Sequence, residues 1–146
     1  MKKIFALVLT VILALSFASC GSDSTKDSKS DKKTIGIIQF GSHGSLNNCY
    51  EGVKKGLEEN GIKLDDYNVE YVNSNFDASV SQSQANTLVN KKASVIIAIA
   101  TPSAVAAANA AADKDVPVVY CAITDSSVMD KYTNVTGSSD VPNFEK

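Results

Sequence analysis

The stretch "AIATPSAVAAANAAA", Ala98 to Ala112, decides the fold. Its first residues close an apolar, isoleucine-rich run that begins at Ser94. Thr101-Pro102 then interrupts, and alanines follow. Alanine is the strongest helix former. Threonine suits the N-cap of a helix, and proline suits the position after it, where a missing N–H costs nothing. The stretch therefore predicts a strand that delivers a helix start, with the helix over Ser103 to Ala112. Side chains as small as alanine let that helix lie close to a sheet.

Working outward, the same alternation repeats. "TIGIIQF" (Thr34 to Phe40), "SVIIAIA" (Ser94 to Ala100) and "VPVVYCAI" (Val116 to Ile123) are continuous apolar runs. Continuous runs predict strands buried on both faces, as in a parallel sheet. "NVEYVNS" (Asn68 to Ser74) is more polar and alternates, which predicts an edge strand. A short fifth strand is expected in "TNVTGSS" (Thr133 to Ser139). Between Asn47 and Asn60 a helix is expected, with Leu46, Tyr50, Val53 and Leu57 on one face and Asn60-Gly61 ending it. Ala85, Leu88 and Val89 mark a second helix over Val80 to Lys91. The order β-α-β-α-β-α-β predicts right-handed crossovers. The expected architecture is an α/β, Rossmann-like three-layer lobe with a parallel sheet in the order 2-1-3-4-5.

In such sheets ligands bind beyond the carboxyl ends of the strands, where the strand order reverses. The corresponding loops are "GSHGSLN" (Gly41 to Asn47), "ATPSA" (Ala100 to Ala104) and "TDSS" (Thr124 to Ser127), all rich in small hydrogen-bonding residues. The loops at the other end, "NGIKLDDYN" and "NKKA", have the character of plain surface. With Thr101 as N-cap and Pro102 following, the free amides of Ser103 and Ala104 would carry the positive end of the helix dipole, where a carboxylate can bind. Many βα units start a helix with Thr-Pro and bind nothing, so both readings stand. In the first loop Asn47 can cap a helix, and Gly41 and Gly44 allow tight turns. The spacing is neither a dinucleotide fingerprint nor a phosphate-binding P-loop. His43 is the only histidine. A lone loop histidine is more often solvated or locally bonded than catalytic, and no nucleophile–base set can be assembled around it. Asp125 can either accept a ligand ammonium group or cap the turn that follows it.

Composition narrows the classes further. The 146 residues carry a formal net charge of −2, and all 14 basic residues are lysine. This gives no footprint for nucleic acid. Without arginine, no side chain offers a planar fork to an anion. An anionic ligand group must use backbone amides, hydroxyls or lysine. No residue spacing suggests a metal site, and no cofactor motif is present.

The N-terminus reads as a targeting segment. Lys2 and Lys3 precede an apolar core from Ile4 to Ala18, shorter than a membrane span of about 20 residues. It ends in "FASC", which resembles the lipobox of bacterial lipoproteins, with Cys20 as the lipidated residue and Phe17 where leucine is commoner. An ordinary signal peptide that happens to contain Cys20 is the other reading. "GSDSTKDSKSDKK" (Gly21 to Lys33) has no apolar residue and reads as a flexible tether. The expected organisation is a leader over 1–19, a tether over 20–33, a folded lobe over 34–135, and a crossover segment starting over 136–146. Cys49 and Cys121 remain, either as buried free thiols or as a disulfide.

Three stretches together resemble one family: "TIGIIQFGSHGSLNNCYEGVKKGLEENG", "ASVIIAIATPSAVAAANAAADKDVPVVYCAITD" and "NVTGSSDVPNFEK". They are similar to the first lobe of ABC-transporter substrate-binding lipoproteins of the tryptophan/tyrosine type. The resemblance implies the N-terminal lobe of a type I periplasmic-binding fold, two such lobes closing over a solute. It implies capture of an amino acid, often aromatic, outside the cytoplasm, with delivery to a permease and its ATPase. It also implies attachment to the membrane through a lipid on Cys20, and no enzymatic activity. Carried onto this chain, the ligand contacts are Ser42, His43 and Leu46, then Thr101, Pro102 and Ser103, then Thr124 and Asp125. The family often has a Glu-His-Pro-Ala-Leu-Asp loop. Here it reads "SHGSLN", with Gly44 in place of the proline and Asn47 in place of the acid. The chain ends at "SSDVPNFEK", where the family crosses into its second lobe, so a truncated, one-lobed binder is expected. Two alternatives share the fold: a sensing module that presents a small ligand to a membrane receptor, and an enzyme on a similar scaffold. Fold alone does not establish chemistry.

Overall fold

The computed structural model describes residues 32–140. The expected leader, Cys20, the tether as far as residue 31, and residues 141–146 lie outside the described residues. The elements follow in order: β1 (Thr34–Gln39), α1 (Gly44–Glu59), β2 (Asn68–Asn73), α2 (Ala78–Asn90), β3 (Val95–Ile99), α3 (Thr101–Ala111), β4 (Val118–Ile123) and β5 (Val135–Ser139). Short 3₁₀ turns at Leu64–Asp66 and Ser126–Met129 precede β2 and β5. The sheet has the order β2-β1-β3-β4-β5, and every pairing is parallel. The expected topology is met in full.

The isoleucine runs explain the layering. Side chains alternate across a strand, so β1 sends Ile35 and Ile37 to one face and Ile38 to the other. Ile97 and Ile99 of β3 join the first set, under Leu46, Tyr50, Val53 and Leu57 of α1. Ile96 and Ala98 join the second, under α2 and α3. Ile37, Ile38, Ile96 and Ile99 have no exposed surface. Each stabilises the fold by about 1.5–3 kcal/mol relative to exposure. The alanines of α3 behave as expected: Ala104, Ala107, Ala108 and Ala111 are fully buried. Gly36 serves the same close packing from the sheet side, since a Cβ there would lie 2.7 Å from Leu88 Cδ1.

Helix ends differ from expectation by a few residues. Helix α1 starts at Gly44, capped by His43, whose ring nitrogen accepts from the Ser45 amide. Asn47 is inside the helix and does not cap it. Helix α2 starts at Ala78 because the Asp77 carboxylate accepts from the amides of Ser79 and Val80 at 2.7 and 3.2 Å. At the far end of α3, the Asn134 amide donates to the carbonyls of Ala111 and Val116 at 2.9 and 3.0 Å. That bond occupies a carbonyl left over by the helix and ties the helix to the start of β4. The fold also begins before Thr34: the Lys33 carbonyl accepts from the Asn68 amide at 3.0 Å.

Strand β4 contains an irregularity. Its register against β5 shifts between Tyr120 and Ile123, and Ala122 has φ 55°. Cys121 and Ala122 therefore both contact the α1 side, and Ile123 returns to the other core. This is the effect of a bulge, which re-aims side chains at the end of a strand.

Candidate functional site

All five strands run the same way, so their carboxyl ends form one edge of the lobe. The order reverses between β1 and β3. Gln39 pairs with Ile99, and Ile99 with Cys121, so the loops after β1, β3 and β4 start at one level. The Phe40 amide donates to the Ile99 carbonyl at 3.2 Å, and the Ala100 amide to the Cys121 carbonyl at 3.0 Å. The predicted contact loops are thus brought side by side.

The start of α3 differs in detail from its sequence reading. Ala100, not Thr101, is the N-cap, at φ 82° and ψ 154°. Its carbonyl accepts from the Ala104 amide at 3.0 Å. That backbone region is populated almost only by glycine, and its occupation costs about 1–3 kcal/mol. Pro102 lies in the first turn, and no side chain caps the helix. The Thr101 amide is left for solvent or a ligand, whereas Ser103 has no exposed surface and its amide is closed off. Ala104 N–H, expected to be free, is used. Thr101 and Pro102 are half-buried at the edge, whereas Ser103 is buried. The Ser103 hydroxyl points toward α2, 3.5 Å from Ser81 Oγ. Ser81 donates to Ser74 at 2.7 Å and Ser74 to Gln84 at 2.8 Å. Ser103, expected as a ligand contact, is thus closed off from the edge by its packing against α2.

In the first loop Ser42 and His43 are exposed and Leu46 is half-buried under the α1 core. His43 Nδ1 lies 2.9 Å from Ser45 Oγ, a local bond rather than a catalytic pairing. Behind this loop is a buried residue that the sequence reading missed. Gln39 closes the apolar run of β1, yet it is fully buried. Its amide donates to the Gly41 carbonyl at 2.8 Å and to Asn47 Oδ1 at 2.7 Å. Its oxygen accepts from the Tyr71 hydroxyl at 3.2 Å. The Asn73 amide bridges Tyr71 Oη and Ser42 Oγ at 3.2 and 3.1 Å. The loop is therefore tied to β1, β2 and α1 at once. Only the glutamine amid isoleucines signals this in the sequence.

In the third loop Thr124 and Asp125 are exposed. The Asp125 carboxylate accepts from the Ser127 amide at 2.9 Å. Hydrogen bonds from the Ser127 side chain and then its amide hold the carboxyl below its ordinary pKa. The capping role is thus present, and an exposed carboxylate with two bonds to Ser127 still has acceptor capacity for a ligand.

A cavity of about 400 Å³ lies elsewhere, between α1 and the ends of β4 and β5. Cys49, Val53, Cys121, Ala122, Ser139 and Asp140 line part of it, and none of the predicted contact residues does. Its two cysteines are free thiols. Burial, and then the neighbouring Cys49, push the Cys121 thiol up to about 11. No group of three or more metal-ligating side chains occurs among the described residues.

The doubly wound parallel sheet, with an open helix start at its switch point, is the α/β architecture of one lobe of a type I periplasmic-binding fold. The chain belongs to the ABC transporter substrate binding protein family, whose model matches residues 34–146. A tyrosine-binding protein of Clostridioides difficile strain R20291 is 33% identical over 162 residues, covering 99% of this chain and 46% of its own. The chain thus spans about half the length of the curated relative it matches. A pneumococcal ABC domain solved in complex with L-Trp is 37% identical, with a TM-score of 0.68 over 75% of this chain and 39% of that one. An open, ligand-free substrate binding protein with adhesive properties from Clostridium difficile is 36% identical, with a TM-score of 0.70 over 77% of this chain and 40% of that one.

Proposed function

We propose that this chain is one wall of an extracytoplasmic solute-binding component of an ABC importer, with an amino acid as solute and an aromatic one favoured. The observation that carries the reading is the uncapped start of α3 at the switch point of the sheet. The amide and hydroxyl of Thr101, at the open helix start, take the solute carboxylate with the help of the helix dipole. This suits a chain without arginine. The exposed carboxylate of Asp125 and the hydroxyl of Thr124 take the ammonium group. Ser42, His43, Leu46 and Pro102 border the remainder. The tyrosine-binding relative and the L-Trp complex support the choice of solute.

Attachment to the membrane is through a lipid on Cys20, after removal of residues 1–19, with the residues between Cys20 and the bonded Lys33 as the tether. Among the described residues, no helix is long and apolar enough to cross a membrane. The partners are a permease and its ATPase. The crossover toward a second lobe starts later than position 136, because residues as far as Ser139 form β5 of this sheet.

One lobe desolvates a solute on one side only, so the chain alone binds weakly. Titration with tryptophan, tyrosine and phenylalanine, followed by amide NMR, tests this. Shifts at residues 41–47, 100–104 and 124–127 at millimolar solute are expected. Saturation at micromolar solute would contradict the one-wall reading. Shifts at none of these loops would remove the binding function.

A further inference from the structure

We propose that Phe76 is the aromatic wall of this binding site, the side chain that distinguishes an aromatic solute from an aliphatic one. The proposal rests on the solute-binding reading and adds a residue from the loop after β2. Phe76 is 55% exposed, more than any other large apolar side chain among the described residues. Its backbone is left-handed, with φ 63°, and Asn75 before it has φ 51°. Asparagine tolerates that region, whereas a bulky aromatic residue there is a genuine outlier.

The conformation is held from several directions. The Phe76 amide donates to the Phe40 carbonyl at 2.7 Å, and the Asp77 amide to the Ser74 carbonyl at 2.9 Å. The Asn75 amide donates to Asn73 Oδ1 at 2.9 Å. The ring meets Phe40 edge to face, with centroids 5.7 Å apart and planes at 88°. Phe40 is the residue whose amide reaches the Ile99 carbonyl, at the switch point itself. The ring also occupies the space beside Gly41, where a Cβ would lie 2.3 Å from Cε1. Only glycine leaves room for it. Gly41 leads directly into Ser42, which Asn73 ties to the same loop.

A strained backbone, an exposed apolar ring and a fixed orientation together describe a surface arranged before its ligand arrives. The ring stands at the ligand edge of the lobe, next to the loop of Ser42 and His43. A second aromatic ring is its best complement, since aromatic pairs gain beyond area burial when offset or edge to face. An aliphatic side chain gains the area alone.

Fluorine NMR of the full chain labelled with fluorophenylalanine tests the proposal. Phe76→Asn assigns the resonance and suits the left-handed backbone, so the folded state persists and its thermal midpoint provides the control. Tyrosine or tryptophan should shift the Phe76 resonance, and leucine should do so much less. Phe76→Asn should narrow the affinity gap between tyrosine and leucine about tenfold. Phe76→Leu, which keeps the apolar contact and removes the π face, should narrow it as well. If tyrosine shifts the amides of residues 41–47 and 101–104 while the Phe76 resonance stays fixed and the gap is unchanged, the role of Phe76 is overturned and the binding function stands. If no resonance responds to any amino acid, both are overturned.

Discussion

The buried amide of Gln39 donates to Asn47 Oδ1 at 2.7 Å, joining the end of β1 to the first turn of α1. A polar group without exposed surface is tolerated only when bonded, and Gln39 meets this with Gly41, Asn47 and Tyr71. The residue holds in place the loop that carries Ser42 and His43. Gln39→Leu should cost about 1–3 kcal/mol, because the partners lose their bonds in a half-buried setting. Denaturant unfolding checks the stability. Faster amide hydrogen exchange at Gly41 to His43 is the local signature expected beside it.

Ala100 pays a conformational cost that glycine would not. Ala100→Gly should raise stability by about 1 kcal/mol, the relieved strain exceeding the added entropy of the unfolded chain. Ala100→Val should lower it, since a β-branched side chain fits that backbone worse. Thermal unfolding of the two variants should move in opposite directions.

The alanine face of α3 sets how closely that helix packs. Ala107 has no exposed surface, so Ala107→Leu forces extra volume into a closed interface. A loss of about 1–3 kcal/mol is expected, against less than about 0.5 kcal/mol for Ala112→Ser at the exposed end of the same helix. Parallel chemical denaturation of both variants provides the check.

The Asp77 cap should be visible in the acid limb of stability. Hydrogen bonds from the Ser79 side chain, then from the amides of Val80 and Ser79, lower its pKa. A lowered carboxylate pKa contributes stability above the unfolded value and loses it as pH falls through the folded one. Asp77→Asn keeps a capping oxygen that does not titrate. Stability of the native chain relative to Asp77→Asn should therefore stay level from neutral pH to the ordinary aspartate range, then decline below it. A relative decline on the alkaline side would contradict this assignment.

Cys121 should alkylate slowly at neutral pH. The thiolate is the nucleophile, and with a thiol raised to about 11 little is present. The rate with iodoacetamide should rise about tenfold per pH unit up to that value. A plateau near pH 8 would show an ordinary, accessible thiol.

The strands, the helices and the sheet order are legible in the chain because hydrophobic runs of strand length alternate with helical periodicity. Three continuous apolar runs leave few arrangements other than a parallel sheet covered on both sides. Leu46, Tyr50, Val53 and Leu57 show the buried face of α1 before any coordinates do. The helix start after β3 is also legible, but its cap is displaced by one residue. Nothing in an alanine announces a positive φ, so Ala100 looks like the end of a strand.

What only the tertiary structure decides is how the loops meet. Ser103 looks like a ligand hydroxyl until α2 is seen to approach it, because the direction of a helical side chain depends on what packs beside the helix. Gln39 is hidden inside an apolar run, and its role exists only when Asn47, Gly41 and Tyr71 converge on it. The loop after β2, "NSNFD", contains no glycine to mark a left-handed turn, yet Asn75 and Phe76 both adopt one. Contacts with Phe40 and Gly41, more than thirty residues earlier in the chain, are what hold Phe76 there. Local pattern determines the elements because it acts over a few residues. The carboxyl edge of the sheet is assembled from four separate loops, and its geometry appears only once the sheet has brought them together.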